Sequence, residues 1–190
     1  MHLYRFNTEG KLINQITKGD WIVTDIVGEN IKKKELLVMT TKDSAKERQL
    51  YAVNWENGKL RKITSDAGTH TVSVSTNGEF AIDNWSNETT PRKIEVVETT
   101  GKFKQNLLTA SNPLTNYNTA KVENVTLKAD DVTDLYGKII YPTNFDQTKK
   151  YPVIVYLYNG PHAQLITNRF PASGNLWYDH LAEKGYVVST

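Results

Sequence analysis

Through the first 110 residues, apolar and polar positions alternate in short bursts broken by glycine turns. Leu3-Tyr4-Arg5-Phe6-Asn7 and Leu50-Tyr51-Ala52-Val53-Asn54 read as strands of the same kind. Each leads into a glycine-lysine turn and a second strand, Gly10-Lys11-Leu12 ending in Ile16-Thr17 and Gly58-Lys59-Leu60 ending in Ile63-Thr64. A weaker third copy is Ile94-Glu95-Val96-Val97, then Gly101-Lys102-Phe103 and Leu108-Thr109. The tyrosines lie 47 apart (51 − 4), and the glycines 48 (58 − 10) and then 43 (101 − 58) apart. A period in the forties with a hairpin in each unit predicts propeller blades, each a four-stranded sheet. A generic antiparallel sandwich is the alternative, and sandwiches rarely repeat at this period. The stretches between the copies supply the remaining strands, 21–27 with 35–41 and 71–75 with 80–85, the latter joined by the tight-hairpin pair Asn77-Gly78. The expected count is half a blade over 2–17, a full blade over 21–64 and another over 70–109.

The pattern changes after 110–120, a polar, proline-bearing stretch that reads as a linker. Residues 122–127 and 135–141 predict a hairpin around Ala129-Asp130-Asp131, and 142–150 a loop. The run 153–158 then has no alternation and is rich in β-branched and aromatic residues, which predicts a strand buried on both faces, as in a parallel sheet. Tyr151-Pro152 marks its entry and Asn159-Gly160-Pro161 its exit. Helical spacing over 176–184 puts Leu176, Trp177, His180 and Leu181 on one inward face, with Gly185 as the stop. An apolar strand starts at 186–189. Strand, loop, helix, strand is the opening of a parallel α/β sheet. The expected fold class is therefore mixed: blades of a β-propeller followed by the first strands and helix of an α/β domain. The chain reads as one that starts inside one domain and stops just after entering a strand of another. Unpaired strand edges left that way invite pairing with other chains.

Composition narrows the partners. Lys plus Arg number 23 against 21 Asp plus Glu, a formal charge of +2, so neither nucleic acid nor an anionic membrane is expected. The run Lys32-Lys33-Lys34 is a solvated turn. There is no cysteine, so disulfides, thiolate metal sites and a cysteine nucleophile are excluded. No apolar run reaches the ~20 residues of a membrane helix, and the N-terminus has no apolar signal core.

Most known chemistries have no motif here. G-x-S-x-G, a phosphate-binding loop, a dinucleotide fingerprint and H-E-x-x-H are all missing from the sequence. His2, His70, His162 and His180 are scattered without ligand spacing, so no metal or other cofactor is expected. His180 reads as a packed structural histidine, and His162 lacks an orienting carboxylate nearby. Asp130 and Asp131 are turn residues. Trp21, Trp55, Trp85 and Trp177 are read as core rather than as a carbohydrate platform. Tyr158 stands where the apolar strand meets its loop, at the carboxyl edge where α/β sheets place their chemistry. It is either an aromatic capping a strand or a phenol hydroxyl aimed at a developing oxyanion.

The stretch Lys149-Lys150-Tyr151-Pro152-Val153-Ile154-Val155-Tyr156-Leu157-Tyr158-Asn159-Gly160-Pro161 resembles the K-K-Y-P-(apolar)-Y-x-G-P segment of the dipeptidyl peptidase IV branch of the prolyl oligopeptidase family of serine peptidases. Upstream, Ile16-Thr17-Lys18-Gly19-Asp20-Trp21 is similar to an I-T-K-G-x-W run of that branch, and Pro142 and Phe145-Asp146 fit as well. The resemblance spans essentially the whole chain, in order. It implies a β-propeller joined to an α/β-hydrolase domain, with residues 1–110 as propeller blades, 111–120 as linker and 121–190 as the start of the peptidase domain. It implies that the Tyr158 hydroxyl helps form the oxyanion hole, paired with the backbone N–H that follows the nucleophilic serine. Asn159 falls at the variable position. The serine, aspartate and histidine are then expected beyond Thr190, and the acidic pair that grips a substrate's amino terminus before Met1. The piece by itself is expected to be inactive, and its parent to release X-Pro or X-Ala dipeptides from peptide N-termini without a cofactor. Peptides with penultimate Pro or Ala are the implied partners, and homodimers and export (periplasmic or cell-surface) are habits of the family. Two other readings stay open: a noncatalytic propeller and hydrolase-fold binding protein, and an acylaminoacyl-peptidase-like hydrolase. A G-x-S-x-G beyond Thr190 separates the first of these from an active enzyme.

Overall fold

The glycine-lysine turns of the repeat set the layout. Gly10, Gly58 and Gly101 have φ of +80°, +71° and +79°, a left-handed conformation that only glycine adopts freely. In the first two turns an asparagine side chain closes the loop: Asn7 accepts the N–H groups of Glu9 and Lys11, and Asn54 those of Glu56 and Asn57. Such side-chain bonds stand in for backbone turn bonds. The computed structural model describes residues 1–158, 160 and 163–190. Its strands are β1 (Tyr4–Phe6), β2 (Leu12–Gln15), β3 (Val23–Asn30), β4 (Glu35–Thr40), β5 (Gln49–Asn54), β6 (Leu60–Lys62), β7 (Thr69–Val74), β8 (Phe80–Ser86), β9 (Lys93–Glu98), β10 (Lys104–Thr109), β11 (Lys121–Lys128), β12 (Asp134–Tyr141), β13 (Val153–Val155) and β14 (Val187–Ser189). One α-helix, α1 (Leu176–Glu183), lies between the last two strands.

The chain divides into two compact units, one of residues 1–87 and 92–110 and the other of residues 88–91 and 111–190. In the first unit, β1 and β2 form a two-stranded sheet, and the orders β3-β4-β5-β6 and β10-β9-β8-β7 form two four-stranded antiparallel sheets. The middle sheet is covered on both faces. Leu37, Met39, Leu50 and Ala52 pack on one side with Ala81 and Val97 of the following sheet. Val38, Tyr51 and Val53 pack on the other with Ile16 and Val23. That is why β4 and β5, though antiparallel, carry apolar residues at consecutive positions. The β7–β10 sheet turns only one face inward, and Phe80 and Ile82 on its other face are exposed. No sheet closes into a ring among the described residues.

The second unit is one mixed sheet in the order β11-β12-β14-β13. The β11–β12 hairpin runs in unbroken register from Lys121↔Tyr141 to Lys128↔Asp134 around the predicted Asp130-Asp131 turn. Asp131 accepts the Thr133 N–H, and bonds to Thr133 hold its carboxyl below the usual carboxylate range. β12 pairs antiparallel with β14, and β14 pairs parallel with β13 through Val153↔Val187 to Val155↔Ser189. The connection between the parallel strands is α1. Asn175 caps it by accepting the Trp177 N–H at 3.0 Å, and Gly185 (φ +91°) ends it. Its core is small: Ile140, Ala182 and Val188, with Val122, Tyr178 and Leu181 against them.

Two expectations for this unit are corrected. The helix turns Tyr178, Leu181 and Ala182 inward, whereas Leu176 and Trp177 are exposed. His180 is exposed too and stacks on Trp177, with centroids 5.2 Å apart, instead of packing in the core. A helix face is chosen by its docking surface, here Ile140 and Val188, and the apolar residues that do not reach that surface stay in solvent. The predicted strand 153–158 is also shorter. It pairs only over Val153–Val155, because β13 is an edge strand with β14 as its single partner. Val153 and Val155 are each 59% exposed, so the face that they share is open, while Ile154 on the other face is half-buried. Among the tryptophans, Trp85 is core, Trp21 and Trp55 pack partly buried in the first unit, and Trp177 is outside. Among the described residues no helix is long and apolar enough to cross a membrane.

Candidate functional site

Tyr158 follows the carboxyl end of β13. The strand ladder reaches one residue past its last pair, where the Tyr156 N–H donates to the Ser189 carbonyl at 2.8 Å. Because β13 and β14 are parallel, both end at the same edge of the sheet, and that edge is where Tyr158 emerges. Tyr156 turns its ring to Tyr178 of α1, centroids 5.9 Å apart, and burial, with Tyr156 adding to it, pushes the Tyr178 phenol above its ordinary value. Tyr158 is different: it is 62% exposed. Its ring folds back over Gly160. A Cβ at position 160 would come within 2.5 Å of Cε1, 2.8 Å of Cζ and 2.9 Å of the hydroxyl oxygen, so any other residue there would push the ring away. The glycine two residues on is thus what leaves room for the ring of this exposed tyrosine. Asn159, Pro161 and His162 lie outside the described residues.

The same sheet carries a buried lysine that sequence reasoning passed over. Lys138, in β12, is 2% exposed. Its ammonium has three donors and finds three acceptors: Glu88 Oε1 at 2.7 Å, the Ala172 carbonyl at 2.6 Å and the Thr167 carbonyl at 3.3 Å. Glu88 is itself held, since Asn124 donates to its carboxylate and its own N–H donates to Asn168 Oδ1 at 3.2 Å. Buried charges are tolerated when paired and fully bonded, and this pair is. A signal was present in the sequence. Lys138 lies two positions before Ile140 in a strand, so both sit on one face, and a lysine sharing a face with a core isoleucine calls for a partner. Close by, a cavity of about 330 Å³ is lined by Glu88, Phe170, Ala172, Ser173 and Asp179 among others. Asp179 accepts from the Ala120 N–H and the Ser173 hydroxyl.

The first unit holds a second polar cluster. His70 Nδ1 meets Asp83 Oδ2 at 2.8 Å, and Nε2 meets the Asp66 carbonyl at 2.9 Å. The ring stacks on Trp85, whose Nε1–H donates to Glu95 at 2.8 Å, and Lys104 bridges Glu95 and Asp66. Burial alone pushes the Asp66 carboxyl up, but its bonds from Lys104 and Ser65 outweigh that and hold it below the usual range. Burial likewise pulls Lys104 down, and Asp66 and Glu95 more than offset it. These groups satisfy one another and leave no reactive atom free for a substrate, so the cluster stiffens a sheet. No three His, Asp or Glu side chains stand together as metal ligands among the described residues.

The chain is similar to known proteins. The profile described as Dipeptidyl peptidase IV (DPP IV) N-terminal region matches residues 1–92. Over 100% of its length the chain superposes on a Bacteroides ovatus protein described as a dipeptidyl aminopeptidase IV, at TM-score 0.84 and 35% identity. The chain is dipeptidyl peptidase IV-like. The crystal structure of Porphyromonas gingivalis dipeptidyl peptidase 4 matches 99% of this dipeptidyl peptidase IV-like chain at TM-score 0.86 and 27% identity. It covers 28% and 27% of those two structures. Human dipeptidyl peptidase 8 is 29% identical over 188 residues, and Trichophyton equinum dipeptidyl peptidase 4 is 29% identical over 195. The chain spans only 21% and 24% of the length of these two relatives.

Proposed function

We propose that these 190 residues form part of a serine dipeptidyl peptidase that releases X-Pro or X-Ala dipeptides from peptide N-termini. Residues 1–110 are its propeller blades, 111–120 the linker and 121–190 the start of its α/β-hydrolase domain. Tyr158 is the oxyanion-hole hydroxyl. The observation that carries this reading is the placement of Tyr158: an accessible phenol at the carboxyl edge of a parallel strand pair, held over Gly160, in a chain that superposes along its whole length on dipeptidyl peptidases.

The chemistry follows from charge development. When a serine hydroxyl attacks the carbonyl of the penultimate residue, the carbonyl oxygen becomes an anion. A preorganised O–H donor stabilises it at no further cost in reorganisation. The hydroxyl of Tyr158 donates a hydrogen bond to that oxygen. The nucleophile is supplied by a G-x-S-x-G turn, which this sequence lacks, so the 190 residues alone do not turn over substrate. Loss of one oxyanion donor costs about 10²–10³ in kcat. In the full-length protein, Tyr158→Phe is therefore expected to lower kcat on a chromogenic Gly-Pro substrate by about that factor while changing KM by less than about threefold. A Tyr158→Phe enzyme with unchanged kcat overturns the reading. So does activity of the 190-residue chain that survives repurification.

A further inference from the structure

We infer that Lys138 is a positioning residue for Tyr158, an inference that rests on the function proposed above. β13 does little to hold this tyrosine. The strand has three residues, its ladder ends at Tyr156, and Leu157 and Tyr158 are 74% and 62% exposed. Among the described residues, the connection on to α1 is instead tied down from beneath over 167–172. Lys138, buried in β12, donates to the carbonyls of Thr167 and Ala172, two points of the connection that leads from Tyr158 to α1. Asn168, between those two points, takes the N–H of Glu88, and Glu88 in turn pairs with Lys138. Three points of the connection are thus tied, directly or through Glu88, to one ammonium group on the sheet floor.

The connection itself buries little of its own. Within 163–175 only Ile166 and Ser173 are buried among the described residues. An apolar residue at position 138 would keep the β12 ladder, because the strand bonds are made by the backbone. It would release both carbonyls and leave the loop free to shift. Misplacing a catalytic group by about 1 Å costs up to about 10²-fold in rate.

The test uses the full-length protein and a chromogenic Gly-Pro substrate, with kcat and KM read for Lys138→Met, Tyr158→Phe and the double variant, and melting temperature followed by calorimetry. Lys138→Met is expected to lower kcat about 10- to 100-fold with KM changed less than about threefold. In the Tyr158→Phe background the same substitution is expected to cost less than about twofold, since the group that it positions is already gone. Lys138→Met alone leaves the Glu88 carboxylate buried and unpaired, which threatens the fold. The variant carrying both Lys138→Met and Glu88→Leu removes both charges, and replacing a buried pair by apolar residues usually restores stability. It is expected to melt near the parent temperature and still show the low kcat, because the Thr167 and Ala172 carbonyls no longer have their donor. A charge-free variant with parental kcat overturns the inference, and so does a Lys138→Met loss that stays full-sized in the Tyr158→Phe background. Either result leaves the oxyanion reading standing provided that Tyr158→Phe is slow. If Tyr158→Phe is as fast as the parent, the oxyanion reading falls and this inference with it.

Discussion

Two four-stranded sheets in this chain follow opposite rules. The β3–β6 sheet is sealed on both faces, with Leu37, Val38, Leu50 and Val53 at 0% exposure. The β11–β14 sheet buries Ile140 and Val188 under α1 but leaves Val153 and Val155 of its edge strand β13 largely in solvent. Both sheets contain runs of consecutive apolar residues, Leu36-Leu37-Val38-Met39 in one and Val153-Ile154-Val155 in the other. Such a run states that a strand is built to be covered twice. It does not state what supplies the cover. In the first unit the neighbouring sheets of the repeat supply it. In the second unit the described residues supply a helix on one face and leave Val153 and Val155 of β13 open on the other.

The largest test of this contrast lies in the polar core of the first unit. Asp83→Ala leaves His70 buried at 3% exposure without its carboxylate, and breaking a buried pair in this way costs about 3–5 kcal/mol. Urea unfolding of the chain should show the loss, and a change below about 1 kcal/mol would mean that the cluster adds nothing. Next come matched truncations. Leu50→Ala is expected to cost about 2–5 kcal/mol and Val155→Ala less than about 1, because the Val155 side chain is already mostly in solvent. Equal costs at the two sites would erase the distinction between the sheets.

A smaller effect sits at the rim of the His70 cluster. The Asp66 carboxyl is held low, so its contribution is present above its ordinary value near ~4 and is lost as pH falls through the lower folded value. Lys104 is held high, so its contribution is present below ~10.4 and is lost as pH rises through the higher folded value. Both side chains are more than a third exposed, and solvent screening keeps the pair to about 1 kcal/mol at most. Lys104→Met should therefore lower the melting temperature slightly at neutral pH and flatten its fall at both extremes. The smallest effect is expected at Trp177→Ala, within about 0.5 kcal/mol of the parent, since this ring is 59% exposed on the outer side of α1. A larger loss would show that the outward face of the helix is covered in solution.

Much of this layout was legible beforehand. The glycine-lysine turns marked the repeat because a left-handed turn demands glycine at one fixed place, and the Asn77-Gly78 pair located the β7–β8 hairpin. That hairpin also held the His70–Asp83 pairing implicitly. Its register pairs His70 with Trp85 and Val72 with Asp83, which puts the histidine and the aspartate diagonally on one face. Without the register they were two polar residues 13 apart. The inward face of α1 was not legible, since Trp177 and Tyr178 are adjacent and the sheet below decides between them. Nor was Glu88 as the partner of Lys138. Fifty residues separate them (138 − 88), and sequence spacing carries no information about such a pair.

The short segment 88–91 has one more effect. It belongs to the second unit while the residues on either side belong to the first, so the polypeptide passes between the units at three places: 87–88, 91–92 and 110–111. A protease that nicks the 111–120 stretch cuts only the last passage. The N-terminal product still carries Glu88, and Glu88 still grips Lys138, Asn124 and Asn168 in the C-terminal product. Limited digestion should thus give two bands under denaturing conditions and a single peak on a gel-filtration column. The boundary most exposed to cleavage is not one at which the molecule comes apart.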